Sequence, residues 1–311
     1  MPKDLHELPK IRDSISFLYF EHAVIEQDNG SIVVIQKDGR IPVPISMMTC
    51  LLLGPGTKVT HAAIKAMADN GCLVIWCGET NERFYASGMG ETRSASNLLL
   101  QARLCMNTEY HMSVVRRMYE IRFPNEDVSK MTLQQLRGLE GVRVRQIYQS
   151  ESKRCGVEWT ARKYKQTNWN DSDEINRALS YANSVLYGVC HAAIVSLGFS
   201  TGLGFIHTGK LLSFVYDVAD LYKKDTSIPA AFEAVQSRQV EPKIILERQV
   251  RFFTRKKIQE AGILRRIAND IAWIFDISIN DEHDNNVLVG NLWDKEGETF
   301  GGINYSKDNA V

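Results

Sequence analysis

A change of hydrophobic period near residue 90 constrains this chain more than any other feature. Before it, "SISFLYF", "SIVVIQ", "RIPVPI" and "TCLLLG" are short runs rich in β-branched and aromatic residues, punctuated by "DNG" and "KDG". These are strand and hairpin-turn signals. "GPGTKVTHAAIKAMADNG" interrupts them with a turn and one helix, with Thr60 as the expected N-cap and Gly71 as the stop. "CLVIWCG" and "RFYASG" supply two more strands. After "GMGETRSAS" the apolar residues recur at helical spacing. "SASNLLLQARLCMNTEYHMSVVRRMYEIRF" reads as one helix stopping at Pro124, and "TLQQLRGLEGVRVRQIYQSESKR" as a second. A third, "DSDEINRALSYANSVLYGVCHAAIVSLG", starts on a capping box at Ser172 and closes at Gly198. Shorter patterns cover 211–224 and 228–236, and a long one covers 242–276.

The expected fold class is therefore α+β. A β-rich, sandwich-like N-terminal domain with one helix spans 1–90 and a larger all-α domain spans 91–276. A polar, acidic tail, 277–311, carries a short apolar kernel at "VLVGNLW". The 311 residues suffice for two such domains, and 44% hydrophobic with 24% charged residues is an ordinary globular composition. No apolar run in the sequence approaches the roughly 20 residues of a membrane span. The charged, proline-containing "MPKDLHELPK" is not a signal peptide, so a cytoplasmic protein without membrane contact is expected. Six scattered cysteines with no CxxC argue against a disulfide framework or a zinc site.

The net charge of zero conceals a segregation of charge. Residues 1–90 carry 8 Lys+Arg against 10 Asp+Glu, residues 91–276 carry 27 against 20, and the tail carries 2 against 7. The basic excess falls in the helical region, at "VVRRMYEIRF", "LRGLEGVRVR" and "WTARKYK". It suits a polyanionic partner, and equally a set of solvated helix faces.

Chemistry-bearing residues concentrate in "GLGFIHTGKLLSFVYDVADLYKKD". Gly204, Gly209 and Lys210 match most of a phosphate-binding loop, but Leu211 stands where a Ser or Thr should hold Mg²⁺, and no strand precedes the loop. The glycines fit a tight turn into the next helix better. On that helix Ser213, Asp217, Asp220 and Lys224 form one polar stripe among apolar neighbours. Two readings fit: a solvent-facing edge, or a cleft in which paired carboxylates and His207 hold a divalent cation. Glu140, between Gly138 and Gly141, is a further carboxylate on a helix. Each glycine there costs about 1 kcal/mol of propensity, compensated either by close approach of a ligand or by tight helix packing. A Glu/His/Asp set suits Mg²⁺ or Mn²⁺ and is poor for zinc.

"LRGLEG" and "FIHTGKLLSFVYDVADLYK", with "LLGPGTKVTHAA" and "YASG" upstream, resemble the integrase subunit of the CRISPR adaptation machinery, the first-numbered CRISPR-associated protein, in its I-E subtype. The resemblance covers roughly residues 10–275. It implies a β-rich domain followed by a helical catalytic domain, a homodimer, and assembly with a dimer of the small second-numbered CRISPR-associated protein. It also implies insertion of short DNA fragments into the CRISPR array by 3′-hydroxyl transesterification. Glu140, His207 and Asp220 fall on the family's metal ligands, and Asp217 on its accompanying acidic position. Lys210 is placed to reach a phosphate oxygen. Arg40, Lys58, Lys65, Arg83, Arg137, Arg162, Lys163, Arg248 and Arg251 become candidates for the DNA backbone, and Tyr164, Trp169 and Tyr187 for stacking or positioning the DNA end. An end-wedge role passes to Phe20 or His22. Other readings of the same residues are a stand-alone endonuclease on branched DNA and a non-catalytic architectural DNA-binding protein.

Overall fold

The structure is a computed structural model that describes residues 17–45, 48, 50–78, 84–88, 95–161, 173–277, 292–294 and 297–299. Arg83, Arg162, Lys163, Tyr164 and Trp169 lie outside the described residues. The β-rich part holds two four-stranded sheets. One contains β2 (Val24–Asp28), β3 (Ser31–Gln36), β4 (Gly39–Val43) and β6 (Lys58–Val59), in the order β4-β3-β2-β6. Asn29 and Gly30 form the two-residue loop between β2 and β3 at φ 46° and 77°, the left-handed pair that a tight hairpin requires. The other sheet runs β1 (Phe17–Phe20), β5 (Cys50–Leu53), β7 (Leu73–Cys77) and β8 (Phe84–Ser87), with β1, β5 and β7 parallel and β8 antiparallel.

The strands' side-chain alternation explains why "CLLL" and "LVIWC" read as continuous apolar runs. Leu51, Leu53 and Val74 face one way, into a core shared with Ile25, Ile32 and Val34 of the first sheet and with Ala63 and Met67 of α1 (His61–Asp69). Cys50, Leu52, Leu73, Ile75 and Cys77 face the other way, against Ala192 and Val195 of a helix in the second part. A sheet buried on both faces has no need of polar residues. Thr60 caps α1 as expected, accepting from the Ala63 N–H, and Gly71 follows at φ 67°.

The helical part contains α2 (Ser96–Met106), α3 (Thr108–Arg122), α4 (Leu133–Cys155), α5 (Glu174–Ser196), α6 (Ser213–Ala219), α7 (Ser227–Val240), α8 (Leu246–Glu260) and α9 (Ile263–Phe275). Two expected long helices are each a pair. Asn107 breaks the first, because its side-chain oxygen accepts from the Glu109 and Tyr110 N–H groups and starts α3 afresh. Gly262, at φ 61°, breaks the second between α8 and α9. The cap of α5 is Asp173, which accepts from Asn176 N–H, in place of the expected Ser172. The helix expected over 211–224 is regular only over Ser213–Ala219 and continues as turns.

Helix α5 is the axis of this part. Leu186, Val189, Cys190, Ala193 and Ile194 join one core with α3, α6 and α9, while Ile175, Ala178, Leu179 and Ala182 join another with α7 and α8. Its 22-residue segment Glu174–Val195 has the length and hydropathy of a membrane span, which the sequence pattern did not anticipate, and 67% of its apolar window is buried inside the protein. Between the two parts, Arg251 of α8 pairs with Glu247 and reaches Glu21 at 3.6 Å, its guanidinium over the Tyr19 ring. The chain divides into two compact units, Met1–Ile279 and Asn280–Val311. Within the second, β9 (Leu292–Asp294) and β10 (Gly297–Thr299) form an antiparallel pair.

Candidate active site

The loop between α5 and α6 carries His207, and its shape is set by Asp217. That carboxylate is fully buried. Its Oδ2 accepts from the N–H groups of Phe205 (2.6 Å) and Ile206 (3.0 Å). Its Oδ1 accepts from His207 N–H (2.9 Å) and lies 2.7 Å from His207 Nδ1. A carboxylate is an acceptor only, so Nδ1 donates to Asp217 and Nε2 is the ring nitrogen left for another partner. Gly204 makes this wrap sterically possible: a Cβ there would collide with the His207 carbonyl and come within 2.7 Å of Ser213 Cβ. Gly209, at φ 79°, turns the chain back toward α6. The glycines therefore serve a turn, as the sequence suggested, and Lys210 is exposed at its tip.

Asp217 and Asp220 do not share one polar edge, contrary to the helical-stripe reading. Asp217 lies on the interior side of α6, while Asp220 is the residue at its C-terminal cap. Asp220 Oδ1 is 2.5 Å from Lys223 Nζ and its Oδ2 is 3.9 Å from Arg122. Burial alone would raise the Asp220 carboxyl, but the Lys223 ammonium and the Arg122 guanidinium override it and hold the carboxyl below the usual range. Burial likewise works against the Lys223 ammonium, and Asp220 beside it nonetheless raises its pKa.

Glu140 projects from α4 toward the same point, its Oε2 3.8 Å from Arg122. That oxygen is buried and makes no hydrogen bond among the described residues. Burial pushes the Glu140 carboxyl up, against the pull of Arg122 and Arg143. Among the described residues, no atom outside the glycine's own helical neighbourhood lies within 4 Å of where a Cβ on Gly138 or Gly141 would stand, so tight packing against another described helix does not account for them. Both face open space beside exposed Arg137.

Arg122 thus links Glu140 of α4 with Asp220 at the end of α6, and His207 on the 205–207 loop acts electrostatically on Asp220. Among the described residues no three His, Cys, Asp or Glu side chains are close enough together to form a finished metal cage. The donor chemistry still fits a hard divalent ion: one imidazole nitrogen that Asp217 leaves unengaged and two carboxylates, Glu140 with a buried oxygen that lacks a hydrogen bond among the described residues.

Four neighbours escaped the sequence reading. Arg122 and Lys223 flank the carboxylates, Arg143 acts on Glu140, and Tyr216 lies edge-on to His207 at 5.8 Å. A signal for Arg122 was present, since it follows Val115, Met118 and Tyr119 along the buried face of α3. Tyr187 stands at this site, 5.1 Å from Tyr216, with the Lys223 ammonium over its ring. Of the expected backbone contacts, Lys58 and Arg40 are exposed on opposite edges of one sheet, and Lys65 is exposed with Asp69 as its partner. Arg137 and Arg248 are exposed, whereas Arg251 is half-buried in its ion pairs. His22 adopts φ 51° and packs where a Cβ on Gly56 would strike its ring.

A two-sheet β-rich part, a helical part and a histidine–carboxylate cluster inside the latter define the class: an α+β protein with one acidic, imidazole-bearing site in its helices. The family model described as CRISPR associated protein Cas1 matches residues 17–129 and 125–260, and the chain belongs to that family. It is similar to the CRISPR-associated endonuclease Cas1 2 of Thermus thermophilus, 49% identical over 311 residues that cover 98% of this chain and 94% of the relative. A Clostridium CRISPR-associated endonuclease Cas1 is 42% identical over 304 residues, covering 97% of this chain and 99% of that one. The crystal structure of a TtCas1–DNA complex superposes with a TM-score of 0.70 at 51% identity, covering 86% of this chain and 99% of that chain.

Proposed function

We propose that this chain is a divalent-metal-dependent DNA integrase of CRISPR adaptation. It would insert short DNA fragments into the array by attack of their 3′-hydroxyl on a phosphodiester. The observation that carries this reading is the Asp217 clamp, which fixes the 205–207 loop, engages His207 through Nδ1 and leaves Nε2 for another partner, in a region where His207 acts electrostatically on Asp220. A DNA complex of a 51%-identical protein supports DNA as the partner.

In this reading Glu140, His207 and Asp220 hold Mg²⁺ or Mn²⁺. The ion, when bound, lowers the pKa of the attacking hydroxyl and offsets charge developing at phosphorus. Asp217 holds the His207 proton on Nδ1 throughout, so the imidazole acts as a ligand and not as a proton shuttle. Lys210, exposed on the turn before α6, reaches a nonbridging phosphate oxygen. The bond from phosphorus to the leaving 3′-oxygen breaks as the bond to the incoming 3′-oxygen forms. The working assembly is a homodimer joined to a dimer of the second-numbered CRISPR-associated protein, with separate regions 1–90 and 91–276 for backbone contact and chemistry. The I-E subtype rests on the sequence motifs alone.

The relatives' name, endonuclease, favours a second reading in which water replaces the 3′-hydroxyl and the chain cuts branched DNA without a partner. Strand transfer into a supercoiled array, run with and without the small partner, separates the two. His207→Ala and Glu140→Ala are each expected to abolish transfer while leaving folding and DNA affinity largely intact. Wild-type transfer rates from either variant in Mn²⁺ would refute the ligand assignment.

A further inference from the structure

We infer that Arg122 is the positioning residue that holds Glu140 and Asp220 as a pair, and that its fixed charge makes divalent-cation binding there depend on a DNA phosphate. This rests on the metal-dependent reading above. Arg122 ends α3, and only 2% of its side chain is exposed. One terminal nitrogen lies 3.8 Å from Glu140 Oε2 and the other 3.9 Å from Asp220 Oδ2. The second also donates to the Asp217 carbonyl at 3.3 Å, and the guanidinium lies over the Tyr119 ring at 5.1 Å. One side chain therefore ties α3, α4 and α6 together at the point where the ligands meet.

The distances matter. A committed arginine–carboxylate hydrogen bond is about 2.7–2.9 Å, and both separations here are well beyond it. Arg122 compensates the two carboxylates without occupying their lone pairs, which stay available to a cation. Its charge is permanent, because a guanidinium does not deprotonate in a protein. Lys223 also faces Asp220, but it is a quarter exposed, sits on a flexible stem and can turn away. Arg122 is enclosed by Tyr119, the Asp217 carbonyl and both carboxylates, and cannot.

The charge balance follows. Glu140 and Asp220 already face Arg122, Lys223 and Arg143, two negative groups against three positive ones. A divalent ion added alone would bring uncompensated positive charge into a half-buried place beside a fixed cation. A phosphodiester arriving with it supplies the missing negative charge. Metal loading and DNA binding are thereby coupled, and the ligand set is held in place while it waits for both.

Mn²⁺ binding to the full-length protein, read by electron paramagnetic resonance, tests this. It is measured alone and with a duplex ending in dideoxynucleotides, after subtraction of Mn²⁺ bound by the duplex. The duplex should tighten wild-type Mn²⁺ binding at least about tenfold, the scale of one partly screened unit charge at these distances. Arg122→Met should bind Mn²⁺ about tenfold tighter than wild type without DNA and lose most of the DNA dependence. Arg122→Lys keeps the charge and should keep that dependence, which a role in packing alone would not predict. Equal wild-type affinity with and without DNA overturns the inference even if Arg122→Met fails to fold. So does Arg122→Met binding no more tightly than wild type. Unchanged Mn²⁺ binding by Glu140→Ala in the presence of DNA would instead remove the ligand assignment itself, and the inference with it.

Discussion

At the scale of single residues, Asp217 and Asp220 show how three positions along a chain can separate two chemistries. Asp217 spends all its acceptor capacity on three backbone N–H groups and an imidazole, whereas Asp220 faces two cations at the edge of the site. Asp217→Asn keeps one carbonyl oxygen but turns an amide toward N–H donors, so it should cost about 1–3 kcal/mol of stability. Strand transfer should fall about 10–100-fold through a loosened His207, as for other residues that orient a ligand. Asp220→Asn should lose more activity, because it removes a proposed ligand outright, and transfer rates of the two variants side by side check the ranking. A pH series adds an independent test. A carboxyl held below its ordinary pKa contributes stability that is present above the ordinary range and lost as the pH falls through its folded value. Asp220→Asn should therefore melt below wild type at neutral pH, and the two melting curves should converge as the pH drops below the carboxylate range. Parallel curves at every pH would show that Lys223 and Arg122 do not act on this group. The sequence identified both aspartates and His207 but not which carboxylate was internal, since that depends on a loop folding back over α6.

At the scale of elements, the sequence showed where helices and strands lie better than where they end. Asn107 and Gly262 each look tolerable within a long periodic pattern, and the breaks arise because Asn107 captures two N–H groups and Gly262 takes a left-handed φ. Helix α4 carries the more useful prediction. Gly138 and Gly141 face open space, so replacing both with alanine should raise stability, by up to about 1 kcal/mol each on helix propensity. If a DNA backbone approaches this face, the same double variant should bind duplex more weakly despite melting higher. A melting curve and a binding titration on one sample decide it, and stabilisation without loss of DNA affinity would leave the glycines without that role.

At the scale of the whole molecule, the β-rich and helical parts share a buried face between the second sheet and α5, braced by Arg251 against Tyr19 and Glu21. If basic residues of both parts follow one phosphate track, DNA affinity is mainly electrostatic and nearly independent of sequence. Neutralising Lys58, Lys65 and Arg83 together should then make the salt dependence of binding shallower by about 2 to 3 logarithmic units per unit of log salt. A titration that overlays wild type would move the track onto the helical part, where the basic excess lies. The amino-acid sequence by itself determined the two-part α+β order, the Thr60 cap and the Asn29–Gly30 hairpin, and singled out Glu140, His207, Asp217 and Asp220 as candidates, because periodicity, turn chemistry and short motifs are local properties. Tertiary structure alone decided that β1 pairs with β5, that Arg251 braces two parts of the molecule, and that Arg122 stands between two carboxylates. The physical reason is the same in each case. Strand pairing and the burial of a charge depend on which distant segments meet, and no spacing along the chain records that.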